Sequence, residues 1–180
     1  MGYSLYFVRV PEGTREEDVG ALVRALTQAE EDDAPHDADA AARNEALAAA
    51  LLAVDPTLER DEYDFQELAR WHQISEAAAR RRFRTIDLSG SVDGHRIGVT
   101  LHDAWASTEM PYGASPGGAD DLAALRRIAR VLVHQGGYVA YDPIGSQLLD
   151  VDDDAAWADA EAAPRDDGPP AARRAWWRFW

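Results

Sequence analysis

The chain has 180 residues, thirty-three acidic against eighteen basic, and a formal charge of −15; that is one domain's length, with a field strong enough to select its partners. Every basic residue is arginine and there is no cysteine. Schiff-base and phosphate-loop lysines, thiol nucleophiles and thiolate metal sites are therefore excluded.

Tyr3, Leu5, Tyr6, Phe7 and Val8 form a short β-prone run that ends at Pro11-Glu12-Gly13. Thr14, with Glu17 three residues on, has the pattern of a capping box opening a helix. Val19, Leu22, Val23 and Leu26 recur at helical spacing and define its buried stripe. Glu30-Glu31-Asp32-Asp33-Ala34-Pro35 is a solvated loop by composition. A second helix is expected over roughly 39–54, buried through Leu47, Leu51 and Val54 and stopped by Asp55-Pro56. Asp64 opens a short third helix reaching His72.

The period then changes. Phe83, Ile86 and Leu88 are strand-like, and Ser89-Gly90 and Asp93-Gly94 are turn signals. Ile97, Val99 and Leu101 alternate with Arg96, Gly98, Thr100 and His102, the pattern of a half-buried strand. Residues 104–112 continue an antiparallel meander, and 113–118 form a loop. Asp120 and Asp121 start a helix lined by Leu122, Leu125, Ala129, Leu132 and Val133, with Arg126, Arg127 and Arg130 later in it, as the macrodipole favours. Gly136-Gly137 ends it. Tyr138, Val139 and Tyr141, a turn at Asp142-Pro143-Ile144-Gly145, and Gln147 to Val151 close the domain. The expected fold is α+β: an antiparallel sheet of about five to six strands with helices packed mainly on one face. One domain spans 1–154, and 155–180 is a linker with a tail rich in tryptophan and arginine. No basic leader precedes a long apolar run, and no run is long enough to span a membrane, so the expected location is cytoplasmic.

The charge is concentrated. Residues 30–67 carry thirteen acids and two arginines, net −11, whereas 68–134 come to +2. Confinement of the excess argues against general halophilic adaptation, which spreads acid over the whole surface. Arg80-Arg81-Arg82-Phe83-Arg84 is a basic cluster, but the whole-chain charge opposes nucleic acid. An internal counterpart to the acidic stretch is the simpler expectation. Gly113-Ala114-Ser115-Pro116-Gly117 matches the serine-hydrolase elbow literally, yet Pro116 has no N–H to give an oxyanion. The five histidines form no metal-binding spacing. Asp150-Val151-Asp152-Asp153-Asp154 lacks the glycine and closing glutamate of a calcium loop. No cofactor and no metal are expected.

Met1-Gly2-Tyr3-Ser4-Leu5-Tyr6-Phe7, Gly136-Gly137-Tyr138-Val139-Ala140-Tyr141-Asp142-Pro143 and Leu148-Leu149-Asp150 together carry a resemblance. They resemble a group of uncharacterised bacterial proteins that begin Met-Ser-Tyr-Asp-Leu-Tyr and have a Tyr-Asp-Pro strand-turn near the C-terminus. Some of these look like immunity proteins of interbacterial toxin systems. Ser4 and Ile144 depart from that pattern, and the matching residues are structural, a first strand and a last hairpin.

The resemblance and the charge lead to one expectation: an acidic protein that neutralises a partner with a basic surface, a toxin domain whose active site it covers. Glu30, Glu31, Asp32, Asp33, Asp37 and Asp39 are expected to steer the partner, with Glu59, Asp61, Glu62 and Asp64 as a second cluster. Tyr63, Phe65 and Trp71, expected as buried aromatics beside them, supply affinity. Arg174, Trp176, Trp177, Phe179 and Trp180 form a tail anchor, docked on its own domain or free for a partner's pocket; a membrane-surface role comes third, since anionic lipid repels the −15 body. Two alternatives stand: a small hydrolase or other enzyme using carboxylates with His102 or His134, and a homo-oligomeric scaffold joined through the tail.

Overall fold

A computed structural model describes residues 2–28, 37–92, 95–111 and 119–157. In chain order the elements are β1 (Gly2–Val8), α1 (Glu16–Gln28), α2 (Ala38–Val54), β2 (Glu59–Arg60), α3 (Phe65–His72), α4 (Glu76–Arg82), β3 (Ile86–Val92), β4 (His95–Leu101), β5 (Trp105–Pro111), α5 (Ala119–Gly136), β6 (Val139–Asp142) and β7 (Gln147–Leu149). One further helical turn covers 154–157. The fold is α+β. Its sheet has the order β2-β3-β4-β5-β1-β6-β7, seven strands, slightly more than the sequence led us to expect. Every ladder is antiparallel.

Two elements were illegible beforehand for physical reasons. β2 is two residues long, too short for any alternation. In α4 the inward face is alanine, so no large apolar side chain marks it; its cap is Ser75, whose hydroxyl accepts from the N–H of Ala78 at 3.1 Å. Helix α1 begins at Glu16, past the expected cap, because the backbone N–H of Thr14 closes a turn onto the Pro11 carbonyl (3.1 Å).

Alternation along the strands separates two faces. Phe7 lies opposite Ala106 and Ala140, while Tyr6 lies opposite Ser107 and Tyr141. On the first face Leu5, Phe7, Leu88, Ile97, Val99 and Leu101 pack against Leu47, Ala48 and Leu51 of α2 and Leu125, Ile128, Ala129 and Leu132 of α5. Burying each such side chain stabilises by about 1.5–3 kcal/mol before entropy is counted. Val54 was expected in this stripe but is half out in solvent, since it is the last residue of α2.

On the opposite face Val8, Trp105 and Tyr141 receive Val19 and Val23 of α1. A Cβ on Gly20 would lie 2.6 Å from the Tyr141 hydroxyl, so α1 sits close on the sheet. Elsewhere that face is polar: Asp87 pairs with Thr100, which pairs with Ser107. The core reaches Trp157, which is buried and donates its indole N–H to the Val151 carbonyl (3.1 Å).

Candidate protein-docking surface

Asp55 and the turn after it decide where the acidic residues go. The Asp55 carboxylate accepts the backbone N–H and hydroxyl of Thr57 (3.1 and 2.7 Å), turning the chain back along α2. Arg60 then reaches Glu45 with two charge-assisted hydrogen bonds of 2.8 and 2.9 Å. That guanidinium pulls the Glu45 carboxyl below its ordinary value, and Glu45 raises Arg60 in return. The N–H of Asp61 donates to the Asp87 carbonyl (2.9 Å). Tyr63 donates its hydroxyl to the Asp87 carboxylate. Further along, Arg84 meets Asp103 at 3.1 Å, and Arg43 donates to the Asp103 carbonyl at 2.8 Å.

Asp37 and Asp39 stand within two turns of Arg43. They thus belong to the start of α2 on one face of the sheet, whereas Glu59, Asp61, Glu62 and Asp64 lead from β2 to α3, which Tyr63 fastens to Asp87 on the other face.

The carboxylates are not equivalent. Asp37 caps α2 by accepting the N–H groups of Asp39 and Ala40, at 3.0 and 3.1 Å. Asp64 caps α3 in the same way, through Gln66 and Glu67, at 2.9 and 3.0 Å. Asp61 accepts from the Ser89 hydroxyl (2.7 Å) and lies 4.0 Å from Arg96. Asp39, Glu59 and Glu62 are exposed. Of the nearby guanidinium groups, Arg60 holds Glu45, Arg84 holds Asp103 and Arg80 holds Glu76 at 2.7 Å and lies over the Phe65 ring at 4.6 Å, while Arg70, Arg81 and Arg82 are exposed on α3 and α4. Arg80 and Arg84 pair with Glu76 and Asp103, which lie outside the 30–67 stretch.

The aromatic residues divide. Tyr63 packs on Phe65 and Phe83, with centroids 6.0 and 6.5 Å away, and holds Asp87. The same carboxylate accepts from Thr85 (3.0 Å) and Thr100 (2.5 Å), so Tyr63 is a latch fastening α3 to the sheet. That hub depends on the β3–β4 register and could not be read from spacing. Trp71 was expected to be buried but is 62% exposed. It stands one turn after Glu67, on the outer side of an amphipathic helix too short to bury both sides.

Glu30, Glu31, Asp32 and Asp33 lie outside the described residues, as do Ser115 and the anchor residues Arg174, Trp176, Trp177, Phe179 and Trp180. His102 is buried and stacks on Trp105 with centroids 3.6 Å apart and planes at 12°; Asn44 donates to its carbonyl at 3.0 Å. His134 is exposed, 3.0 Å from Asp152, whose other oxygen takes Arg130 at 2.9 Å. Arg126 holds Asp154 and the carbonyls of Val151 and Asp152. The acidic run 150–154 is thus clamped by one stripe of α5. Among the described residues no group of three or more histidine or carboxylate side chains is placed to hold a metal, and no helix is long and apolar enough to cross a membrane.

Compared with known proteins, the chain matches no family model, no curated protein and no solved structure.

Proposed function

We propose that this chain is a binding protein that captures a basic protein partner on the shoulder made by β2 and α3. Its mode is that of a cytoplasmic immunity protein covering a toxin's active site. The observation that carries this reading is Trp71, 62% exposed on a helix entered through Glu59, Glu62 and Asp64. Tryptophan in a partner's pocket is a common energetic centre of interfaces, and exposed carboxylates on the segment that leads into its helix attract a basic surface and repel an acidic one. Tyr63 and Asp87 hold α3 in place, so the anchor is presented on a fixed element.

The test is affinity for the basic polypeptide encoded beside this gene, measured by calorimetry with the full chain. Trp71→Ala is expected to weaken binding tenfold or more, about 1.4 kcal/mol, and Glu62→Arg to weaken it as well. Wild-type affinity in both variants would remove the shoulder from the interface.

A further inference from the structure

The basic run at 80–84 plays no part in the capture of a basic partner, and the fold builds it into a compact unit. Only three residues, Gln73, Ile74 and Ser75, join α3 to α4. Gln73 takes the left-handed conformation (φ 56°, ψ 38°) that ends the first helix, and the Ile74 N–H returns to the Ala69 carbonyl at 3.0 Å. Ser75 then caps the second helix. Ala69 and Ala79 are the buried residues of the two helices, so small side chains let the pair lie close. Tyr63, held by Asp87, packs on Phe65 and Phe83 and fixes both ends of the unit on the sheet.

A short helix, a three-residue turn and a second helix form the arrangement that seats its second helix in the major groove of DNA. We propose that the α3–α4 unit is a helix-turn-helix that lays α4 on duplex DNA, with Arg70, Arg81 and Arg82 on the phosphates. This departs from the expectation drawn from the total charge, and it stands apart from the capture reading.

Three observations choose this ligand. The first is local charge. Residues 65–84 hold five arginines against two glutamates, +3 on a chain of −15. Asp64, just outside, is engaged as the cap of α3. At 0.1 M salt a charge is felt over about 10 Å, so phosphates resting on α4 meet its own arginines before the distant acids. The second is the face presented. Ala77, Arg80 and Arg81 are exposed at helical spacing i, i+3 and i+4, on one side of α4. Glu76 holds Arg80, but Arg81 has no carboxylate partner among the described residues, and Arg70 donates to the Gln66 carbonyl at 3.3 Å. Arg82 is exposed beside them, over the Phe83 ring at 5.7 Å. The third is size. The 7 residues of α4 extend about 10 Å, within the groove's width of about 12 Å, and Ala77 adds no bulk to the approaching face.

Fluorescence anisotropy with the full chain and a labelled mixed-sequence duplex, about two helical turns long, tests this. Three phosphate-bound arginines give a slope of log affinity against log salt of about −2.7, a loss of roughly fortyfold between about 50 and about 200 mM. Arg81→Ala is expected to weaken binding severalfold and to reduce the slope by about one, and Arg81→Glu to abolish binding. In the wild type, amide shifts on adding the duplex should centre on residues 70–82. No binding at the lower salt, undiminished affinity in Arg81→Glu, or shifts confined to other elements overturns the proposal. Equal affinity for a single strand of the same length also overturns it, because seating in a groove needs a duplex. So does displacement by polyglutamate as effective as by unlabelled duplex, which would make the unit a receptor for acidic protein. No basic protein takes part in the measurement, so failure here and failure of the capture reading are seen separately.

Discussion

At position 55 a carboxylate is only 2% exposed, and its environment holds the charged form there. Burial pushes its pKa up. The Thr57 hydroxyl and N–H, with Arg127 at 3.2 Å, outweigh burial and keep it below the usual 3.8. Asp55→Ala leaves those donors without an acceptor and is expected to cost about 2–3 kcal/mol in urea unfolding. Asp55→Asn retains an acceptor for Thr57 and should cost less. The sign with pH follows from the depressed value. The unfolded chain takes up the proton first, so the stability due to this charge is complete above about pH 4 and lost as the pH falls through the lower folded value. The wild type and Asp55→Asn should therefore converge in stability on acidification, and parallel curves would contradict the assignment. At the same scale, Tyr63→Phe removes a donor to a carboxylate and should lose about 1.5–3 kcal/mol.

Elements with many large apolar side chains were legible, and those held by polar contacts were not. The stripe Val19, Leu22, Val23 and Leu26 and the alternation Ile97, Val99 and Leu101 announced α1 and β4, because each buries its own pattern. Ile128 is buried in α5 without having been singled out, although it falls on the same helical face as Leu125 and Leu132. β2 exists because the Asp55 turn returns the chain to β3, a tertiary cause that leaves no periodic trace. The shoulder was half legible. Its acids were visible as composition, but the exposure of Trp71 and the role of Tyr63 depended on how α3 hangs from Asp87. Gly90 tests this corner, since a Cβ there would lie 2.8 Å from the Thr57 carbonyl. Gly90→Ala must push the 57–61 segment away and is expected to destabilise by about 1–3 kcal/mol. Amide exchange should rise in β2 and α3 while α5 stays protected. Equal loosening everywhere would mean that β2 and α3 are not a separable unit.

For the molecule as a whole, a charge of −15 would make the proposed capture of a basic partner a matter of rate as much as of affinity. Open carboxylates act at a distance, before contact, and their reach is the Debye length: about 10 Å at 0.1 M salt and about 3 Å at 1 M. Asp39, Glu59 and Glu62 are among the open ones, and neutralising them as amides should slow association with a basic partner severalfold in dilute buffer. At high salt the change should be small. In the proposed complex Trp71 would act only after contact, so Trp71→Ala should speed dissociation at every salt concentration while leaving the association rate near wild type. Stopped-flow mixing resolves the two rates. If the amide variants slow association equally at low and high salt, their carboxylates touch the partner instead of steering it. If Trp71→Ala changes only the association rate, the indole does not anchor the complex and the division of labour on the shoulder fails.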